Sequence, residues 1–191
     1  MLLRFIGRVA IRRLAPAGYR GVMRTGGSVE TGKRDLLERY AEPLKRCGFR
    51  RLQVNRVPAS FTSFYDHTPF RYPLLFEALC LSHSWEHAVV GEVEFAANPP
   101  GVDLEGLATS VRYDRYLWDY LATHGHLILG RMSGGRYDPC AFDMARRKGR
   151  DAPLVRVDHE EILSFQRLGN PTLLAVSFGA LLEKHLTHVD V

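Results

Sequence analysis

The stretch YDPCAFDMARRKGRDAPLVRVDHEEIL, residues 137–163, decides the fold of this chain. It contains two strand patterns, YDPCAFDM and LVRVD, separated by a charged turn, and it ends in a helix start. A third strand pattern, HLILGRM at 126–132, precedes it across the Gly-rich turn at 133–136. Because parallel neighbours need a long crossover, three strands with short connections should form an antiparallel meander. Pro139 has no N–H to donate, so it should face an edge or a bulge.

Helical patterns lie on both sides of these strands. Before them, apolar residues at three- and four-residue spacing predict helices at 35–47 and 114–124, the first kinked or shortened by Pro43. After them, a capping Asn170 predicts a closing helix from Asn170 to His185. Its buried face would comprise Leu174, Phe178, Leu181 and Leu182. The predicted fold class is α+β: one domain with an antiparallel meander packed by helices on its N- and C-terminal sides.

The segments between the first helix and residue 113 are less regular. Residues 51–57 alternate between apolar and polar and predict a short strand, and Pro58 suits the first turn of a helix. Residues 69–81 fit either a helix or a buried strand; the helical face would continue through Trp85.

Length and composition favour one soluble domain. The chain has 191 residues and 46% apolar content, and no apolar run approaches the roughly 20 residues of a membrane-spanning helix. Its three cysteines contain no CxxC pair, which predicts free, mostly buried thiols and a reducing, cytoplasmic location. They are Cys47, Cys80 and Cys140.

The positive charge is concentrated at the N-terminus. Six arginines precede the first acidic residue, Glu30, and without them the net charge of +5 falls to −1. We therefore expect a basic arm at 1–29 and one domain at 30–191. The arm fits a targeting segment, a membrane-surface helix, a mobile extension or a start assigned upstream of Met23. Nucleic-acid binding through this arm is one alternative function, which the nearly neutral domain does not support.

His83, Glu86 and His87 form an H-x-x-E-H string, the arrangement of the inverted zincins. On a helix the two imidazoles would share a face and bind zinc, with Glu86 as the base for a metal-bound water. Cys80 would add a third ligand. A zinc-dependent hydrolase is therefore a second alternative function. A strand at this position would separate the ligands, and a surface or loop role is the competing interpretation.

The run Asp158–Glu161 crowds carboxylates beside an imidazole, which is also a catalytic pattern. A helix start explains it more simply, because Asp158 suits the N-cap position and Glu161, three residues later, completes a capping box. The buried stripe of this helix would contain Ile162, Phe165 and Leu168.

Two further groups of charged residues receive structural interpretations. Asp138 and Asp143 lie five apart in one strand, so regular alternation places them on opposite faces, as a poor acid–base pair, unless Pro139 introduces a bulge. The following turn carries an exposed basic tip, with an acidic partner or RNA as alternatives to solvent. The tip comprises Arg146, Arg147, Lys148 and Arg150.

Several of these segments resemble the SUKH superfamily, which includes fungal cell-wall-assembly regulators and many bacterial immunity proteins. The resemblance rests on five of them: VPASF at 57–61, the hairpin at 130–143, DAP before LVRVD, the DHEEIL junction and LLAVSFGALLE at 173–183. It covers about residues 35–186. The long aromatic middle at 69–125 and the basic arm have no counterpart and indicate a divergent member.

The resemblance implies a domain that holds a protein partner on one face of its sheet, without catalysis, metal or cofactor. In bacteria such domains often neutralise a polymorphic toxin. By motif position, the residues near the binding face would be Tyr137, Asp138, Asp143 and Asp158.

Overall fold

The structure, a computed structural model, describes residues 37–65 and 68–187. The predicted basic arm at 1–29 and the start of the helix predicted at 35–47 lie outside these residues. In the part that is described, no helix is both long and apolar enough to cross a bilayer.

The described residues form seven α-helices and eight strands. The helices are α1 (Ala41–Arg46), α2 (Thr62–Tyr65), α3 (Leu74–Ser82), α4 (Glu105–Val111), α5 (Arg115–Thr123), α6 (His159–Phe165) and α7 (Phe178–Leu186). The strands are β1 (Arg50–Arg51), β2 (His83–Ser84), β3 (Ala88–Val90), β4 (Val93–Phe95), β5 (His126–Met132), β6 (Pro139–Asp143), β7 (Leu154–Arg156) and β8 (Thr172–Ala175). Short 3-10 turns at Pro58–Phe61 and Met144–Arg146 lead into α2 and follow β6.

Six strands form one antiparallel sheet in chain order, from β3 to β8, while β1 and β2 pair separately. The predicted meander is confirmed as β5, β6 and β7, in which Phe142 lies between Leu127 and Leu154. Pro139 is the first residue of β6, and the bulge next to it falls in β5, between Ile128 and Gly130. The α+β fold class with helices before and after the sheet is therefore confirmed.

An aromatic core joins the sheet to α3 and α7. Phe76 of α3 lies 5.4 Å, ring centre to ring centre, from both Phe142 of β6 and Phe178 of α7. Phe95 of β4 lies 6.1 Å from Phe178. These four rings are almost completely buried, and burial of such side chains supplies a large part of the apolar area that stabilises a domain of this size.

Two helix predictions are confirmed in position. Asp114 caps α5 by accepting a hydrogen bond from the Leu117 amide at 3.0 Å, and Gly125 ends the segment with φ +78°. Near the N-terminus, α1 is short and holds Pro43 in its first turn, where the missing N–H has no intrahelical partner to lose.

The predicted closing helix is wrong over its first half. Residues Thr172–Ala175 form strand β8, with Leu173 opposite Val155 of β7, and the helix begins only after Ser177. Ser177 provides the cap, since its Oγ accepts a hydrogen bond from the Ala180 amide at 3.0 Å. The apolar spacing of this segment suits a helix in isolation, but pairing with β7 satisfies its backbone as a strand.

The strand predicted at 51–57 is also wrong beyond Arg51. Two isolated backbone bonds, from the amides of Leu52 and Arg56 to the carbonyls of Ser82 and Leu81, hold this segment against the end of α3. The side chain of Arg56 turns inward and is only 5% exposed. The segment is therefore positioned by this buried arginine and not by hydrogen bonding to a neighbouring strand.

The ambiguous segment at 69–81 contains helix α3, which ends at Ser82. Trp85, predicted to continue the helical face, instead forms an isolated bridge with Asn98 and donates its indole N–H to the Ala96 carbonyl at 2.7 Å. The chain has therefore left the helix before it reaches Glu86 and His87.

Candidate partner-binding site

A charged cleft of about 540 Å³ opens where β7 ends, α6 begins and the loop at 167–171 leads into β8. The residues that line it are Arg156, Asp158, Glu161, Arg167, Gly169, Asn170 and Thr172. Tyr137 and Asp138, which precede β6, and His159, which opens α6, adjoin the cleft through contacts with one another and with Arg156.

Asp158 is the predicted N-cap of α6, and the structure confirms it. Its Oδ1 accepts hydrogen bonds from the backbone amides of Glu160 and Glu161 at 2.9 and 3.3 Å. The second half of the predicted capping box is replaced by an ion pair, because the Glu161 carboxylate contacts the guanidinium of Arg167. This contact lowers the pKa of Glu161 and fixes one wall of the cleft.

Asp138 orients His159. The Asp138 Oδ1 lies 2.8 Å from His159 Nδ1 and 3.3 Å from the His159 amide, and its Oδ2 lies 3.8 Å from Arg156 Nε. Because an ionised carboxylate can only accept, Nδ1 carries the proton of the imidazole. The pair ties the start of β6 to the start of α6, which are 21 residues apart in sequence.

Tyr137 is the exposed aromatic side chain of this surface. It is 70% exposed, and its ring centre lies 6.1 Å from that of His159. Its hydroxyl makes no hydrogen bond within the described residues. An exposed tyrosine offers apolar area and a polar end together, the combination enriched at protein interfaces.

The loop that carries Arg167 is held from behind by α5. Gln166 adopts the left-handed conformation with φ 50°, alone among the non-glycine residues described, and its carbonyl accepts a hydrogen bond from the Tyr120 hydroxyl at 2.9 Å. This conformation turns the chain out of α6. Arg167 then returns towards Glu161, and its guanidinium lies 5.1 Å from the ring centre of Phe165.

The structure brings together three of the four residues placed by the resemblance. Asp143 lies at the far end of β6 and is 5% exposed. Its Oδ1 accepts from the amides of Ala145 and Arg146 at 3.1 and 3.2 Å, so it caps the 3-10 turn. Asp143 is therefore buried at the opposite end of β6 from Asp138, apart from the other three residues.

Sequence reasoning missed Arg156, Arg167, Asn170 and Thr172. Asn170 and Thr172 were assigned to the closing helix, so they were not considered as part of a binding surface. Arg156 lies between Val155 and Val157, which are both buried, and this alternation is the signal that could have placed it outside the core. The predicted stripe of α6 is right for Ile162, which is fully buried, and wrong for Phe165, which is 64% exposed.

The H-x-x-E-H string does not have the geometry that the zinc hypothesis needs. His83 lies in β2, 6% exposed, with Nδ1 2.8 Å from the Ser82 Oγ, whereas Glu86 and His87 are exposed. Burial, with a smaller effect of Arg51, lowers the pKa of His83 to about 4. The thiol of Cys80 is fully buried and its pKa is raised by burial, so it stays protonated.

In the described part of the chain, one group of three side chains could converge on a metal ion. It comprises Asp138, Asp158 and His159, whose ligand atoms lie within 4.8 Å of one another. Each of the three already has a hydrogen-bond partner in the protein, so their proximity is explained by the contact between β6 and α6.

Comparison with known proteins adds no family. A scan against protein-family models and a search of curated proteins both give no match for this chain. The function must therefore be argued from the geometry of the cleft.

Proposed function

We propose that this protein is a non-enzymatic protein-binding module, a divergent member of the SUKH superfamily, and that it holds its partner at the cleft beside Tyr137. The observation that carries this proposal is an exposed tyrosine, Tyr137, whose ring lies 6.1 Å from that of His159, beside a cleft whose charged residues are held by bonds within the protein. Rigid walls lower the entropy that is lost when a partner binds.

The contacts within the cleft favour binding over turnover. The Asp158 carboxylate secures a helix start, Glu161 secures Arg167, and Asp138 secures the Nδ1 edge of His159. These acids hold the shape of the surface. A nucleophile activated by an imidazole would need a hydroxyl or thiol hydrogen-bonded to it, and among the described residues His159 Nδ1 bonds to Asp138 and to no serine, threonine or cysteine.

The charge of the cleft indicates the chemistry of the partner. In the lining of the cleft, Arg156 and Arg167 balance Asp158 and Glu161, and Asp138, which adjoins the cleft beside Arg156, adds one negative charge to this surface. A partner that presents a lysine or arginine beside an apolar group would complement this charge and the ring of Tyr137. The resemblance implies that such a partner is a toxin domain.

A cytoplasmic location belongs to the same proposal. Cys47, Cys80 and Cys140 are all free thiols in the described structure, as expected in a reducing compartment.

Affinity capture from the native host with mass spectrometry tests the proposal. The baits are the full-length chain, the chain with Tyr137→Ala, and a control with Tyr116→Ala, a tyrosine of α5 that is 48% exposed and does not line the cleft. We expect one protein recovered in stoichiometric amount by the wild type and the control, and at least about tenfold less with Tyr137→Ala. Recovery of no specific protein, or equal recovery with all three baits, would overturn the proposal.

A further inference from the structure

A second pocket, of about 430 Å³, lies between strands β4 and β5 and the end of α4. It shares no residue with the charged cleft. The residues that line it are Glu86, His87, Glu94, Phe95, Ala96, Ala97, Thr109, Ser110, Val111, Tyr113, Ile128, Gly130 and Arg131. Its volume falls within the range of small-molecule sites in proteins.

Close contact between two strands forms one wall. A Cβ added to Gly130 would lie 2.1 Å from the Glu94 carbonyl oxygen, so only glycine allows β4 and β5 to approach this closely. Glu94 and Arg131 are opposite each other in the sheet, with Arg131 Nη2 3.0 Å and Nε 3.2 Å from the carboxylate oxygens. This hydrogen-bonded pair lowers the pKa of Glu94 and neutralises its charge.

The floor of the pocket is apolar and its rim is polar. Val111 and Ile128 are buried, and Ala96 and Ala97 are half-buried, whereas the Phe95 ring belongs to the aromatic core. A ligand that lies on this floor would remove apolar surface from water, which favours a ligand with an apolar body.

The rim holds polar groups that the described structure leaves unused. Within the described residues, the side chains of Glu86, Thr109, Ser110 and Tyr113 make no hydrogen bond or ion pair. Tyr113 is 93% exposed. Arg131 balances the charge of Glu94, and Glu86 is the second acid that lines the pocket.

We propose that this pocket binds a small organic cation, an amine with an apolar body. The carboxylate of Glu86 attracts the ammonium group, the ring of Tyr113 offers the cation an aromatic face, and the floor of Ala96, Ala97 and Ile128 receives the apolar part. An anion of the same shape would be repelled by the carboxylate of Glu86, which has no ion-pair partner among the described residues. This site is independent of the partner-binding cleft, so either proposal can fail without the other.

Two probes of similar shape and opposite charge test the proposal: phenethylammonium and phenylacetate. Each is titrated into the isotope-labelled full-length protein, and binding is followed by NMR chemical-shift changes. We expect saturable binding of phenethylammonium with shifts at Ala96, Ala97 and Tyr113, and at least about tenfold weaker binding of phenylacetate.

Three variants make the test specific. Glu86→Gln should weaken phenethylammonium binding about tenfold, Ala97→Trp should fill the pocket and abolish it, and Glu105→Gln, an exposed acid of α4 outside the pocket, should leave it unchanged. If Ala97→Trp does not fold, Glu86→Gln still decides. No saturable binding of phenethylammonium, equal binding of both probes, shifts confined to the charged cleft, or an unaffected Glu86→Gln would overturn the proposal.

Discussion

Arg56 shows how one buried charge organises two loops. Its guanidinium donates to the carbonyls of Cys80 at 2.6 Å, Pro99 at 2.5 Å and Gly101 at 2.9 Å. No carboxylate pairs with it among the described residues. The cation is thus solvated by main-chain oxygens, which joins the end of α3 to the loop at 98–102. Main-chain acceptors leave no pattern in a sequence, and this is why Arg56 was predicted to lie in a strand.

We expect Arg56→Met to destabilise the protein by about 3 kcal/mol, because it leaves several buried carbonyls without donors. Urea unfolding of the variant and wild type measures the difference. Arg115→Met is the control, since the Arg115 side chain is 90% exposed and its nearest acid, Asp119, is 3.7 Å away; its effect should stay within about 0.5 kcal/mol. A loss below about 1 kcal/mol for Arg56→Met would contradict this account.

The burial of the His83 imidazole predicts that the folded protein loses stability in mild acid. Burial places its folded-state pKa at about 4, below the ordinary 6.5, so the unfolded chain binds more protons as the pH falls below 6.5. The contribution of His83 is therefore complete above that pH and is lost on acidification towards pH 4, by about 2 kcal/mol between pH 7 and pH 5. The buried His126, whose pKa burial also lowers, acts in the same direction.

Urea unfolding at pH 7 and pH 5 checks this expectation. His83→Gln should reduce the difference between the two pH values, whereas His87→Gln, at an exposed position, should retain it. Identical pH dependence in wild type and His83→Gln would show that His83 does not titrate as its burial requires.

At the scale of elements, helix starts were predicted best where a cap contacts its own backbone. Asp158 was identified as a cap because an N-cap bond joins residues two or three apart and so appears in the sequence, whereas at Asp114 the sequence predicted the start of the helix without naming its cap. Strand β8 was not predicted, because the spacing of Leu174 and Phe178 suits a helix. Its pairing partner, β7, lies about 17 residues earlier in the chain, so no local signal indicates the pairing.

Substitutions of Asp158, the cap of α6, distinguish its contribution to stability from its contribution to partner binding. Asp158→Ala should cost about 1 kcal/mol through loss of two backbone bonds, whereas Asp158→Asn keeps an oxygen acceptor and should cost less than about 0.5 kcal/mol. Both remove the charge and should weaken capture of the partner. Asp114→Ala provides the matched control: it should cost a similar stability, measured by thermal unfolding, with capture unchanged. If Asp114→Ala also loses capture of the partner, the loss seen with the Asp158 variants would be due to reduced stability and not to a lost contact with the partner.

Contact between β4 and β5 gives a second prediction at this scale. Gly130→Ala should destabilise the protein by about 2 kcal/mol or more, because its Cβ would meet the Glu94 carbonyl at 2.1 Å. Gly101→Ala, where a Cβ would meet nothing within 4 Å, should be nearly neutral. Chemical unfolding measures both, and equal stability of the two variants would show that the strands can separate without cost.

For the molecule as a whole, local signals predicted the fold class but only part of the cleft. The meander followed from short turns between 126 and 158, whereas Tyr137, Asp138 and Asp158 were proposed as site residues only through the resemblance. Arg167 and Thr172 join them only because β8 pairs with β7 and Gln166 reverses the chain. The second pocket was beyond sequence reasoning, since its walls come from four separated segments.

The central claim is that one surface, the cleft beside Tyr137, holds a protein partner. Hydrogen–deuterium exchange of the full chain, alone and with the protein recovered by capture, tests it most directly. We expect slower exchange on binding at 137–138 and 156–172, and no change at 98–113. Protection at 98–113 with none around the cleft would contradict the account.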